Sequence, residues 1–169
     1  NGTDPRLRGG AIAPSALPVT SAFDLGDSQH FQARAYVNGT WSALSEATFF
    51  IDRTNRDLRI TEIMYHPPAR EGVDGDAFEF LELQHVGSEP LDLSGIQFTD
   101  GIGFTFPLGT QVDPGQFLVL VSDPVAFTNK YPGTRVDGVY TGRLANTGET
   151  ITLVHAGGTP IASFTYEDA

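Results

Sequence analysis

The sequence predicts an all-β protein of two sandwich-type domains in tandem, the first incomplete and the second carrying one short helix near residues 123–131. Three observations carry that expectation. Nineteen Gly and eleven Pro with twelve Phe in 169 residues describe many short strands joined by turns. Apolar side chains repeat with a period of two, the spacing of a strand with one buried face. The polar stretch Asp52–Asp57 (DRTNRD) has no apolar residue and divides the chain, with one domain over 1–52, a linker at 53–57 and a second domain over 58–169. So short a connector predicts neighbouring domains that touch rather than swing freely.

Taken in order, residues 1–29 are turn-rich, with Leu17, Val19, Phe23 and Leu25 the apolar candidates for a strand pair. Phe31, Ala33, Ala35 and Val37 then alternate with Gln32, Arg34 and Tyr36, which predicts a half-buried strand. Asn38-Gly39 predicts a type I′ hairpin turn, because both residues tolerate positive φ. Trp41 opens the return and Ala47–Ile51 makes a further strand.

In the second half, Leu58–Met64 reads as a strand with Leu58, Ile60, Glu62 and Met64 on one side and Arg59, Thr61, Ile63 and Tyr65 on the other. His66-Pro67-Pro68 ends it, since proline cannot donate to a ladder. An acidic loop, Ala69–Asp76, leads to a strand over Phe78–Gln84, where Glu79 and Glu82 interrupt the alternation and suggest a bulge or a central position. Leu91, Leu93, Ile96 and Phe98 continue through Ser94-Gly95, and Phe104–Phe106 follows the Gly101 and Gly103 turn residues. Phe117–Val121 is a continuous apolar run, the mark of a strand buried on both faces. Asp123-Pro124 predicts a helix start, because Asp caps and Pro suits the first helical position, and Pro132-Gly133 stops it. Val136–Tyr140 is a further strand, and Ile151–Val154 with Ile161–Tyr166 forms a hairpin about Gly157-Gly158.

Two stretches resemble known families. The series EI at Glu62–Ile63, EFLEL at Glu79–Leu83 and LDLSG at Leu91–Gly95, followed by FTFPLGTQVDPGQFLVLVSD, GRLANTGETITLV and IASFTYED, resembles the lamin tail domain over about 58–168. That resemblance implies an immunoglobulin-like β-sandwich. NGTDPR at Asn1–Arg6, FQARAYV at Phe31–Val37 and NGTWSALSEATF at Asn38–Phe49 resemble part of the non-catalytic domain that ends chitobiases and β-hexosaminidases, over about 1–52, without its early strand. The pairing implies two immunoglobulin-like sandwiches, the first with an open edge. Heptads and a basic linker are missing, so the chain resembles the exported bacterial kind rather than a nuclear lamin.

The net charge of −11 is concentrated in residues 56–169, which hold six basic and sixteen acidic side chains. Such a surface repels phosphate backbones, which argues against nucleic acid as a partner. No run reaches the roughly 20 apolar residues of a membrane span. The opening residues lack signal-peptide character and read as the interior of a longer chain. The absence of Cys excludes disulfides, thiolate metal sites and a cysteine nucleophile, but is compatible with export.

Few residues carry chemistry. Glu71, Asp74 and Asp76 form the calcium candidate, since two aspartates two apart can share one ion, although the remaining ligands of a calcium loop are missing. Glu62, Glu79 and Glu82 are strand-borne carboxylates that could act as an acid–base pair or else pair with Arg59, Arg70 or Arg143. Tyr65, Tyr140 and Trp41 are the candidates for stacking on a carbohydrate, against the alternative that they fill cores. His30, His66, His85 and His155 have no metal-ligand spacing, and no nucleophile elbow or phosphate-binding glycine loop occurs. Asn1-Gly2-Thr3 and Asn38-Gly39-Thr40 match the glycosylation sequon.

The expectation is therefore a non-enzymatic, cofactor-free interaction or spacing module of a larger exported protein at the cell surface. Its partners would be other domains of its parent or an extracellular protein. The alternative is a carbohydrate- or calcium-binding module that targets an attached enzyme to a polysaccharide.

Overall fold

A computed structural model of the chain describes residues 3–51 and 57–168. It divides into two compact units, 1–51 and 52–169. Of the expected connector only Asp57 is described, and Asn1-Gly2 of the first sequon also lies outside the described residues.

In the first unit, β1 (Gln29–Ala33) pairs antiparallel with β4 (Ser45–Phe49), and β2 (Tyr36–Val37) pairs with β3 (Thr40–Trp41). The β2–β3 turn has Asn38 at φ 49° and Gly39 at φ 80°, the conformation that made Asn-Gly a hairpin signal. The strand expected through Phe31–Val37 is split at Arg34. That side chain turns aside to bind Asp4 at 2.8 Å and the Ser42 carbonyl at 2.8 Å. The β1–β4 ribbon is two-faced. Phe31, Ala47 and Phe49 share one side, while His30, Gln32, Glu46 and Thr48 on the other bond to one another across the strands. Among the unit's described residues only Ala13 and Ser28 are buried, and Leu17, Val19 and Phe23 form no strand pair.

The second unit holds nearly all the hydrocarbon interior. One sheet runs in the order β12 (Gly138–Val139), β11 (Phe117–Val121), β6 (Phe80–His85), β5 (Leu58–Met64). The other runs β13 (Thr141–Gly142), β9 (Ile102–Thr105), β8 (Gln97–Asp100), β14 (Gly148–Val154), β15 (Pro160–Glu167). A short ladder of β7 (Leu91–Asp92) with β10 (Gln111–Val112) closes one side. The mostly β content, the several sheets and the one short helix are those of an immunoglobulin-like sandwich. Leu81, Leu83, Leu118, Leu120, Ile151 and Leu153 interdigitate between the two large sheets.

The first sheet also has a covered outer face. Phe80, Val119 and Val121 point away from the sandwich and pack under α1 (Pro124–Lys130) through Phe127, with Met64 and Tyr131 at the margin. This is why Phe117–Val121 reads as an unbroken apolar run: apart from Phe117 it is buried throughout. Helix α1 starts where expected, Asp123 accepting from the amides of Val125 at 2.8 Å and Ala126 at 3.0 Å, with Pro124 in the first turn. It carries the chain across so that β12 can pair parallel with β11.

Three details depart from the sequence reading. The bulge lies in β5, between Ile60 and Glu62, while its neighbour β6, the Glu79–Glu82 strand, takes the central position that is the other of its two readings. It flips the phase of β5, so Leu58, Ile60, Ile63 and Tyr65 all reach the main core and Met64 faces the helix. Gly103 lies inside β9 rather than in a turn, beside Thr141, where a Cβ would sit 2.5 Å from the Thr141 hydroxyl. The expected strand Val136–Tyr140 yields only Gly138–Val139. The chain then crosses from one sheet to the other at Tyr140, which is 3% exposed.

Candidate functional site

The most chemically distinctive place in the second unit is the buried carboxyl of Glu79. The loop before it is held by a 3-10 turn, Gly75–Phe78, which Asp74 caps by accepting from the Asp76 amide at 3.1 Å. Gly75 allows the loop to close against the Pro67 carbonyl; a Cβ there would lie 2.1 Å from that oxygen. The chain then extends through Glu79 into β6, placing the Glu79 side chain among the core leucines with no exposure to solvent.

Glu79 is satisfied from the crossing segment. Its Oε2 accepts from the Leu144 amide at 3.0 Å and the Tyr140 hydroxyl at 3.2 Å, whereas Oε1 has no hydrogen-bond partner. Above it, Ser122 donates to the Asp76 carbonyl at 2.7 Å, and Arg143 pairs with Asp76 at 2.6 Å. Loss of hydration raises the Glu79 carboxyl above the usual carboxylate range, against the two donors that favour the ion. Burial likewise pushes the Tyr140 hydroxyl up, with the neighbouring Glu79 adding to it. Tyr166 is raised for the same reasons, desolvation first and Glu149 second; its hydroxyl donates at 3.0 Å to the Ala145 carbonyl or to Glu149.

This arrangement ties the 74–79 loop, β6 and the 140–144 crossing into one lock, and a carboxyl sealed from water cannot meet a substrate. Glu82 is three residues on, so it points to the opposite side of the sheet, where it accepts from Thr61 at 2.8 Å opposite exposed Glu62. Glu79 therefore pairs with neither Glu62 nor Glu82, which lie opposite each other on the other face of the sheet. The proposed Arg59, Arg70 and Arg143 partners are not used for Glu79 either; Arg143 belongs to Asp76.

The calcium candidates are likewise separately occupied. Asp74 caps its turn, Asp76 pairs with Arg143, and Glu71, at φ 53°, sits 3.2 Å from Arg70. Among the described residues no group of three or more His, Asp or Glu is placed to hold a metal ion. The histidines stay apart. His85 is fully buried, with Nε2 2.7 Å from the Glu89 carbonyl and Nδ1 accepting from the Gly87 amide at 3.2 Å.

Of the three carbohydrate candidates, Tyr140 is corrected: it is core, and its hydroxyl is committed to Glu79. Tyr65 is half-buried against Tyr166, ring centroids 4.6 Å apart, and packs on the main core. Trp41 donates to the Gly10 carbonyl at 2.7 Å and stacks on Tyr36 at 4.5 Å on the β2–β3 hairpin. The buried Glu79 and His85 were missed as structural polar groups. The available signal was a Glu embedded between Phe78 and Phe80, where a free charge would be costly.

The hollows are shallow and basic. One of about 380 Å3 is lined by Arg6, Arg8 and Arg34 with Asp4. Arg34 holds the Asp4 carboxyl down at about 2. Another of about 120 Å3 lies between Arg70, Phe78 and Lys130, whose ammonium sits 4.6 Å over the Phe78 ring.

A two-sheet core of hydrocarbon, with the sealed Glu79 carboxyl among its leucines and open surface around it, defines the class: an immunoglobulin-like β-sandwich. The chain belongs to the lamin tail domain family, whose model, described as Lamin Tail Domain, matches residues 52–168. Comparison with curated proteins returns no match.

Proposed function

We propose that the chain is an interaction or spacing module of a larger exported bacterial protein, acting through protein–protein contact with other domains of its parent or an extracellular protein. The observation that carries this reading is the use of Glu79: this fully buried carboxyl of the lamin tail domain fastens the fold and is closed to ligands. What remains for function is surface. The first unit, in this reading, is a spacer of the chitobiase-terminus type preceding the sandwich.

A second reading, a polysaccharide-targeting module, is favoured by one observation. Tyr36 is 48% exposed and stacked on Trp41 at a hairpin tip, a geometry suited to a sugar ring. Co-sedimentation of the whole chain with chitin, cellulose and peptidoglycan separates the two. Retention that Trp41→Ala abolishes establishes the sugar reading, and no retention on any of them favours the protein-contact reading. A calcium role on the Glu71–Asp76 loop predicts a higher melting temperature at millimolar calcium, and an unchanged one dismisses it.

A further inference from the structure

The two large sheets of the second unit end in four edge strands, and three are blunted. β12 and β13 are two residues long. β5 is broken by its bulge and carries Arg59 and Glu62. The fourth, β15, runs eight residues, Pro160–Glu167, and pairs only with β14. Its Pro160 and a register irregularity at Ile161 are confined to its first residues, and from there Ala162–Tyr166 has no charge and no proline and pairs with β14 in regular register. The outward row of amides and carbonyls of Ile161–Tyr166 has no partner among the described residues. Sheet proteins ordinarily protect such an edge with charge, proline, a bulge or brevity. Here three edges are protected and one is left open.

The surroundings select the occupant. β15 ends in exposed Glu167 and Asp168, and residues 57–168 carry sixteen acidic against five basic side chains. Two copies would each bring to the contact a unit with eleven more acidic than basic side chains (sixteen less five), so like charge opposes self-pairing. We propose that β15 is a docking edge that takes an extended, β-forming segment of a partner protein by strand addition, with Lys or Arg beside Glu167 and Asp168. Main-chain hydrogen bonds supply the pairing, and the acidic end supplies register and preference. The proposal rests on the protein-contact reading and names the partner's chemistry.

The test uses the whole chain, isotopically labelled, and a capped peptide of alternating threonine and valine with two lysines at its amino end. In antiparallel pairing those lysines lie against Glu167 and Asp168. The expected result is amide shifts confined to β15 and β14. Affinity should fall at least tenfold when the lysines become glutamates, and binding should vanish when prolines replace the valines. In the Glu167→Lys, Asp168→Lys double variant, whose sites are exposed, the preference should invert towards the glutamate peptide at an unchanged melting temperature. Shifts elsewhere, equal affinity for both peptides, or self-association of the free chain through β15 would each overturn the proposal. If polysaccharide retention is also absent, a failed peptide leaves the protein-contact reading standing; retention without peptide binding removes both.

Discussion

Glu79 is held by two donors and a lost hydration shell, and the balance sets its response to pH. Its folded-state carboxyl titrates above the ordinary value of 4.5. Below that value the group is protonated in both states and contributes no pH dependence. As pH rises past it, the unfolded chain ionises first, so the Glu79 contribution to stability declines until the folded carboxyl also ionises. Glu79→Gln should therefore gain stability relative to the parent between pH 4.5 and pH 8, read from thermal melts at the two values. Tyr140→Phe removes one of the donors to Oε2 and should cost about 1–3 kcal/mol in urea denaturation, because the partner stays buried. Asp4 is the opposite case. With Arg34 and the Arg6 amide bonded to it, its carboxyl is held at about 2. Its stabilising effect is present above the unfolded value of 3.8 and lost as pH falls through about 2. An NMR titration should return Asp4 towards the ordinary range in Arg34→Gln.

At the level of elements, local chemistry decides single features. Asp123→Ala removes the cap of a seven-residue helix and should cost about 1 kcal/mol by denaturant unfolding. Gly75→Ala sets a methyl against the Pro67 carbonyl and should cost about 1–3 kcal/mol, with near-ultraviolet circular dichroism reporting displaced Phe78 and Tyr140. The same elements show what sequence can and cannot reveal. Asn38-Gly39, Asp123-Pro124 and Phe117–Val121 were legible because turn chemistry, capping and an apolar run act within a few residues. The phase of β5 was not, because a bulge at Thr61 is a property of the pair with β6. Nor was the split of Val136–Tyr140 between two sheets, since its periodicity is the same in either. The sealed Glu79 was hidden by a sound rule, that carboxylates face water. Its exception depends on Leu144 and Tyr140, more than sixty residues away.

Across the whole molecule, hydrocarbon is unequally shared. Sixteen buried residues form the main cluster of the second unit, whereas the first has two-stranded ribbons and, among its described residues, one buried apolar side chain, Ala13. Two-stranded ribbons are marginal alone. Hydrogen exchange on the whole chain should give the slowest amides in β6, β8, β11 and β14, and fast exchange through β1–β4. Equal protection in the two units would contradict the distribution of burial.

The first and last strands of the second unit, β5 and β15, lie in different sheets and share no ladder; the tilted rings of Tyr65, just past the end of β5, and Tyr166 in β15 are in contact. In a tethered protein, tension applied at these two strands would load two outermost ribbons, each anchored on one flank alone. Rupture would begin by stripping a margin, while the Glu79 knot and the layer beneath the helix stayed closed.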